Sequence, residues 1–291
     1  MDTSSIIKKV RKIEIKTRGL SQHVFSGHYH SAFKGRGMTF SEVREYEVGD
    51  EIRNIDWNVT ARFNHPFIKV FEEERELTVM LLIDVSGSNE FGTQQQFKSE
   101  LMTEVAAVLA FSAINNNDKV GVIFFTDKVE KFIPPKKGTS HILRIIRELV
   151  DYKPGNDNTN ISEALRFLTN AIKKRCTTFL ITDFISEDYA QALKIASGKH
   201  DLVALQIVDS AEQQLPDLGL LHMFDNESKE YRWVDTSSKK FRTEYTSRWN
   251  KHIDNTLNLM KQSGIDHALL ETGKDYIKPL MRLFRQREAK Y

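Results

Sequence analysis

Residues 77–88 read LTVMLLIDVSGS. The run from Leu77 to Ile83 is apolar except at Thr78, without the strict alternation of a half-exposed strand. It predicts a strand covered on both faces. Oxygen side chains follow at once: Asp84, Ser86 and Ser88 stand at i, i+2 and i+4, with Gly87 between the serines. A turning loop at that spacing aims three oxygen side chains at one point, and Gly87 lets the backbone come close. Carboxylate and hydroxyl oxygens are hard donors that suit Mg²⁺, Mn²⁺ or Ca²⁺ rather than zinc. The same short pattern also serves as a helix cap with serines in a turn, so it does not decide the chemistry alone.

Downstream, the pattern stays regular. A helix is expected over 94–116, its apolar face carrying Phe97, Leu101, Val105, Ala106 and Val108. VGVIFFT (120–126) is a strand that pairs with VEKFI (129–133) through a tight Asp127-Lys128 turn. Helices follow over 140–150 and 161–174, then the strand TTFLITD (177–183), a helix over 189–197 and the strand DLVALQIV (201–208). Residues 222–235 read as a hairpin. A long helix over 239–263 ends at Gly264, and the strand IDHALLE (265–271) and a helix over 276–287 close the chain. Apolar strands alternating with helices predict an α/β fold, a doubly wound, mostly parallel sheet over 77–291. In such sheets ligands bind outside the carboxyl ends of the strands, where strand order reverses.

Residues 1–76 read differently, as an N-terminal helix and an irregular, β-rich subdomain. Ile6, Val10, Ile13 and Leu20 share one face of a basic amphipathic helix, which reads as docked on its own protein. Residues 21–65 combine glycines, aromatics, arginines and acids with poor periodicity. Arg44, Arg53 and Arg62 with Asp50 and Asp56 read as an ion-pair network around a buried aromatic, the alternative being a recognition surface.

Lysine and arginine number 42 and aspartate and glutamate 40, leaving 42 − 40 = +2. That balance excludes a partner selected by net charge, and nucleic acid is not expected. The single cysteine, Cys176, cannot form an intramolecular disulfide and reads as structurally silent. No Cys/His zinc spacing is present, and His23, His28 and His30 read as solvated. The N-terminus lacks a signal-peptide pattern, and the longest nearly apolar run, 105–114, is too short to span a bilayer; no membrane span and a cytoplasmic location are expected. The P-loop and the Gly-x-Ser-x-Gly nucleophile elbow are both absent.

Two further residues converge on the strand-end loop. Thr159 lies in a loop leading into the helix at Ile161, and Asp183 ends the TTFLITD strand. In a doubly wound sheet these loops meet Asp84 at one edge, so five oxygen side chains from three segments face one site. DVSGS, a threonine in TNISEAL and an aspartate in ITDF together resemble the metal-ion-dependent adhesion site of von Willebrand factor A-type domains. The resemblance implies a metal site of Asp84, Ser86, Ser88, Thr159 and Asp183, holding Mg²⁺ (or Mn²⁺ or Ca²⁺).

The preceding segment narrows the resemblance. Gly35-Arg36-Gly37, Phe40, Arg44, Tyr46, Gly49-Asp50, Arg53, Ile55-Asp56-Trp57 and the FIKVFEEERE strand resemble the bacterial domain of unknown function 58 family. Its members are typically encoded beside MoxR-type AAA ATPases. This implies a metal-dependent protein-interaction module rather than an enzyme. It would be an adaptor or partner of such an ATPase, or of its client, in protein assembly, maturation or stress response, engaged through an acidic residue. A metal-assisted hydrolase using the same cluster, and a scaffold without metal, are the alternatives.

Overall fold

The computed structural model describes residues 11, 13–14, 17, 38–73, 77–87, 92–93, 96–152, 158–186, 188–225 and 230–289. Strands β1 (Met38–Glu45) and β2 (Phe67–Glu73) pair antiparallel. Between them lies α1 (Trp57–Phe63), which poor periodicity hid. It is started by a cap rather than by an apolar stripe: the Asp56 carboxylate accepts from the N–H groups of Asn58 and Val59, at 3.0 and 3.3 Å. Asn64 closes it in the left-handed region, at φ 55°.

The ion-pair network is smaller than expected. Arg44 forks onto Asp50 at 2.9 and 2.7 Å, and Asp56 pairs with Lys69 at 3.5 Å. Arg53 and Arg62 are exposed. Trp57 is no buried anchor: it is 68% exposed, because α1 is one short helix that buries none of its residues fully. Of the N-terminal helix, Arg11, Ile13, Glu14 and Thr17 are helical, and Ile13 packs against the core of the main sheet. Its other positions, and His23, His28 and His30, lie outside the described residues.

The main sheet begins with β3 (Thr78–Asp84). A small hairpin of β4 (Gly92–Thr93) and β5 (Gln96–Phe97) precedes α2 (Lys98–Asn115) and shortens that helix at its start. Then come β6 (Lys119–Phe125), β7 (Val129–Lys136), α3 (Thr139–Asp151), α4 (Ile161–Ala171), β8 (Thr177–Thr182) and α5 (Ala190–Lys199). The chain continues with β9 (Asp201–Val208), α6 (Ser210–Gln213), β10 (Leu220–Asp225), β11 (Glu230–Asp235), α7 (Lys239–Gln262), β12 (Asp266–Glu271) and α8 (Ile277–Glu288). The strand order is β12-β9-β8-β3-β6-β7, parallel throughout except for β7, which returns antiparallel beside β6. The fold is therefore a doubly wound, mostly parallel α/β sheet. On the separate β10–β11 hairpin, exposed His222 stacks against Tyr231 and Trp233 at centroid distances of 4.9 and 4.7 Å.

Strand alternation divides the core. Val79, Leu81 and Ile83 face one layer with Val122, Phe124, Phe179 and Leu205, covered by α2, α3 and α8. Met80 and Leu82 face the other with Ile123, Phe125, Leu180 and Ala204, covered by α4, α5 and residues of α7 such as Met260. Every one of these side chains is essentially inaccessible, which explains why the strands read as unbroken apolar runs. Gly121 is required by packing: a Cβ there would lie 2.7 Å from the Met80 sulfur and 2.9 Å from the Pro135 nitrogen.

Candidate functional site at the strand ends

Asp84 is the last residue of β3, between β6 on one side and β8 on the other. The chain leaves β3 for one neighbour and reaches the other later, so the strand order reverses here and the departing loops open a crevice. The Asp84 side chain is 1% exposed. Its Oδ1 accepts from the Ser86 N–H at 3.0 Å, folding the loop back as an Asx turn. Its Oδ2 accepts from the Thr182 hydroxyl at 2.7 Å and the Thr159 hydroxyl at 3.3 Å. Thr159 Oγ1 also lies 2.9 Å from Ser86 Oγ.

The Thr159 loop is held from both sides. The Asn160 N–H bonds to the Thr126 carbonyl at 2.8 Å, and the Asn160 side chain caps α4 by accepting from the Glu163 N–H at 3.0 Å. Ser186 donates to the Thr159 carbonyl at 3.0 Å and accepts from the Ile161 N–H at 3.3 Å, joining the third loop to the second.

Asp183 stands at the same edge, 1% exposed, with both oxygens engaged. Oδ1 accepts from the Ile185 N–H at 3.0 Å, and Oδ2 from the Lys98 ammonium at 3.0 Å. Lys98 is the first residue of α2, and its nitrogen also donates to Glu212 Oε1 at 2.7 Å. Glu212 is in turn fixed by a capping box with Asp209 at the start of α6. Phe184, fully buried, has φ 63°, a conformation that costs a bulky residue roughly 1–3 kcal/mol. That turn aims Asp183 toward Lys98, while the Asp183 carbonyl receives Gln206 Nε2 at 3.4 Å and lies 3.5 Å from His252 Nε2.

Burial, reinforced by the negative charge of Asp183, pushes the Asp84 carboxyl up to about 6. For Lys98, burial disfavours the charge, but Asp183 and Glu212 outweigh it and the ammonium titrates above its ordinary value. Glu212 is raised by burial, an effect that Lys98 partly offsets. The site thus holds an internal cation beside a carboxylate that resists ionisation.

The structure brings Asp84, Ser86 and Thr159 into mutual contact and sets Asp183 at the same edge; Ser88 lies outside the described residues. Lys98, Glu212, Thr182 and Phe184 complete the surroundings and were not identified from sequence. The donors facing one another are carboxylate and hydroxyl oxygens, a set that fits a hard divalent cation. No group of three or more His, Cys, Asp or Glu side chains with metal-holding geometry occurs among the described residues; the Asp84 carboxylate there is joined by the hydroxyls of Thr159 and Thr182. Cys176 belongs elsewhere: it is buried 3.2 Å from His200 Nδ1, with burial pushing the thiol up to about 11 and the imidazole down to about 4. Both are neutral near pH 7, contrary to the activated state its basic neighbours could have favoured.

A family described as "Protein of unknown function DUF58" matches residues 42–255. The chain belongs to the DUF58 family. An uncharacterized relative, Rv1480 of Mycobacterium tuberculosis, is 23% identical over 290 residues, which span 99% of this DUF58 chain and 91% of that protein. Among solved structures, an aerotolerance-related membrane protein from Bacteroides fragilis aligns with TM-score 0.50 and 17% identity, over 74% of this chain and 100% of that one. The SpRpn10 VWA domain aligns with TM-score 0.41 and 10% identity, over 72% and 95% of the two chains. The Bacteroides likeness shows a shared α/β fold, in keeping with the mostly parallel sheet of this DUF58 protein. No helix among its described residues is long and apolar enough to cross a membrane.

Proposed function

We propose that this protein is a metal-dependent protein-interaction module whose strand-end site takes Mg²⁺, Mn²⁺ or Ca²⁺ and, with it, an acidic side chain of a partner. The observation that carries the reading is the contact of Thr159 Oγ1 with both Asp84 and Ser86 at the point where strand order reverses. Asp84, Ser86 and Thr159 are the direct ligands in this reading, with Ser88 completing the loop's contribution and Asp183 acting through water. A bound divalent ion supplies an electrophilic position that a partner carboxylate can fill. The chain's own residues orient the donors: the Asx turn at Asp84 sets Ser86, and the Ser186 bonds hold Thr159. The partner we favour is a MoxR-type AAA ATPase of the cytoplasm or its client, with residues 1–76 forming an N-terminal subdomain carried by the α/β domain of 77–291.

Among the described residues, interaction is favoured over hydrolysis by the state of Glu212; Glu90 and Asp157 lie outside them. A hydrolase needs a general base free to face the bound water, and Glu212 is ion-paired to Lys98. The test is capture of the candidate ATPase from solution by wild type and Asp84→Ala, in Mg²⁺ and in chelator. Capture by wild type in Mg²⁺ alone is expected. Equal capture in chelator, or by Asp84→Ala, refutes the metal bridge.

A further inference from the structure

We infer that Lys98 is the residue that sets the metal affinity of this site: its buried ammonium occupies Asp183, keeps that carboxylate from binding an ion directly, and opposes the ion's charge. The inference deepens the metal-dependent reading and rests on it. Three observations combine. The Lys98 side chain is 1% exposed, so its charge is neither hydrated nor freely able to swing away. Its nitrogen lies 3.0 Å from Asp183 Oδ2 and 2.7 Å from Glu212 Oε1, so it is held by two carboxylates from segments on either side of β9. The other Asp183 oxygen accepts the Ile185 N–H, so an ion that approached Asp183 directly would have to compete with the Lys98 ammonium for it.

The charges make the consequence definite. Asp84, Asp183 and Glu212 carry three negative charges when ionised, and Lys98 cancels one. A divalent ion then brings the group to neutrality. Without Lys98, the ion would meet one more uncompensated carboxylate and lose a like-charge neighbour in a poorly hydrated setting, where such interactions are strong. Lys98 therefore acts as a resident cation. It keeps the buried acids satisfied without metal and makes divalent binding weak enough to depend on a further ligand.

The test is calorimetric titration of Mn²⁺ alone into the full-length wild type, Lys98→Met, and the double variant Lys98→Met/Glu212→Gln, with thermal melting in parallel. The double variant removes one positive and one negative charge, so it keeps the net charge and guards the test against loss of folding in the single variant. Both variants should bind Mn²⁺ roughly ten-fold or more tightly than wild type, the single variant most tightly. Each should also show a larger metal-induced rise in melting temperature than wild type. Tight binding by the variants when wild-type binding is too weak to measure supports the inference equally. If wild type binds Mn²⁺ and the double variant binds no better, the role of Lys98 is overturned while the metal-dependent reading stands. If neither wild type nor variants bind at millimolar Mn²⁺, both fall together.

Discussion

The sheet has a buried cation at each end, and the two differ in what surrounds them. At the amino edge Arg287 of α8, 2% exposed in its side chain, reaches Asp201 Oδ2 at 2.5 Å and Asp266 Oδ2 at 2.6 Å, the first residues of β9 and β12. At the carboxyl edge Lys98 bridges Asp183 and Glu212. The planar, always-charged guanidinium suits a clamp between neighbouring strands, since its fork can address two carboxylates in fixed directions. The lysine is a point charge held by one loop carboxylate, Asp183, and one carboxylate on α6, Glu212, while at the same edge a third carboxylate, Asp84, keeps company with the hydroxyls of Thr159 and Ser86. One edge is closed by its cation. The other keeps an oxygen cluster over and above what the cation needs. That surplus separates a structural clamp from a candidate ligand site.

The largest expected effect falls on the clamp. Arg287→Met leaves Asp201 and Asp266 without their cation, and breaking such a pair from one side costs about 3–5 kcal/mol. Urea unfolding should show that loss, and divalent ions should not restore it. Recovery of Arg287→Met by Mn²⁺ would erase the distinction between the two edges.

The next effect has the opposite sign. With the Asp84 carboxyl raised from its ordinary 3.8 to about 6, the folded state binds its proton more tightly than the unfolded chain. This group therefore favours folding fully below about pH 4, loses that contribution as pH rises toward 6, and is a constant cost above it. Asp84→Asn removes the charge and keeps an acceptor for the Ser86 N–H. In chelator at pH 8 it should stabilise the protein by about 1–2 kcal/mol, a gain smaller than the full shift because the charge-assisted bonds from Thr182 and Thr159 weaken. The gain should shrink below about pH 4 and be offset by saturating Mn²⁺, which stabilises only the wild type. Equal stability of the two proteins at pH 8 in chelator sinks this account of the carboxyl edge.

The strands and the oxygen-bearing residues of the carboxyl edge could be read from sequence, whereas neither buried cation could, and the reason is definite. β3, β6, β8 and β9 are covered on both faces, so their residues are apolar in unbroken runs. Asp84 and Ser86 lie two residues apart, and Thr159 opens a helix in a loop rich in polar residues, so local pattern exposes them. Lys98 does not stand out, because a lysine heading a helix ordinarily points to water. Its burial depends on Asp183, 85 residues on, and Glu212, 114 residues on. The positive φ of Phe184 is likewise imposed by its surroundings, since nothing in ITDF calls for a left-handed phenylalanine. In the N-terminal region α1 was missed because it depends on the Asp56 cap instead of a periodic apolar face.

The smallest effect sharpens the comparison most, because it separates stability from binding. Thr159→Val keeps the side chain's shape and removes its bonds to Asp84 Oδ2 and Ser86 Oγ. Asp84 retains the Thr182 hydroxyl and the Ser86 N–H, so no buried acceptor is orphaned and the loss in chelator should be about 1 kcal/mol. Thr169→Val supplies the control: that hydroxyl donates 2.8 Å to the Leu165 carbonyl inside α4, far from the crevice in function, and its removal should cost a similar amount. The two variants should diverge when Mn²⁺ is added. Thr169→Val should show the wild-type rise in melting temperature, whereas Thr159→Val should lose most of it, because a direct ligand has gone and a methyl group stands in its place. A full metal-induced rise in Thr159→Val would remove the threonine from the ligand set. The hydroxyl contact would then be only a means of holding the second loop against the first, as Arg287 holds two strands at the other edge.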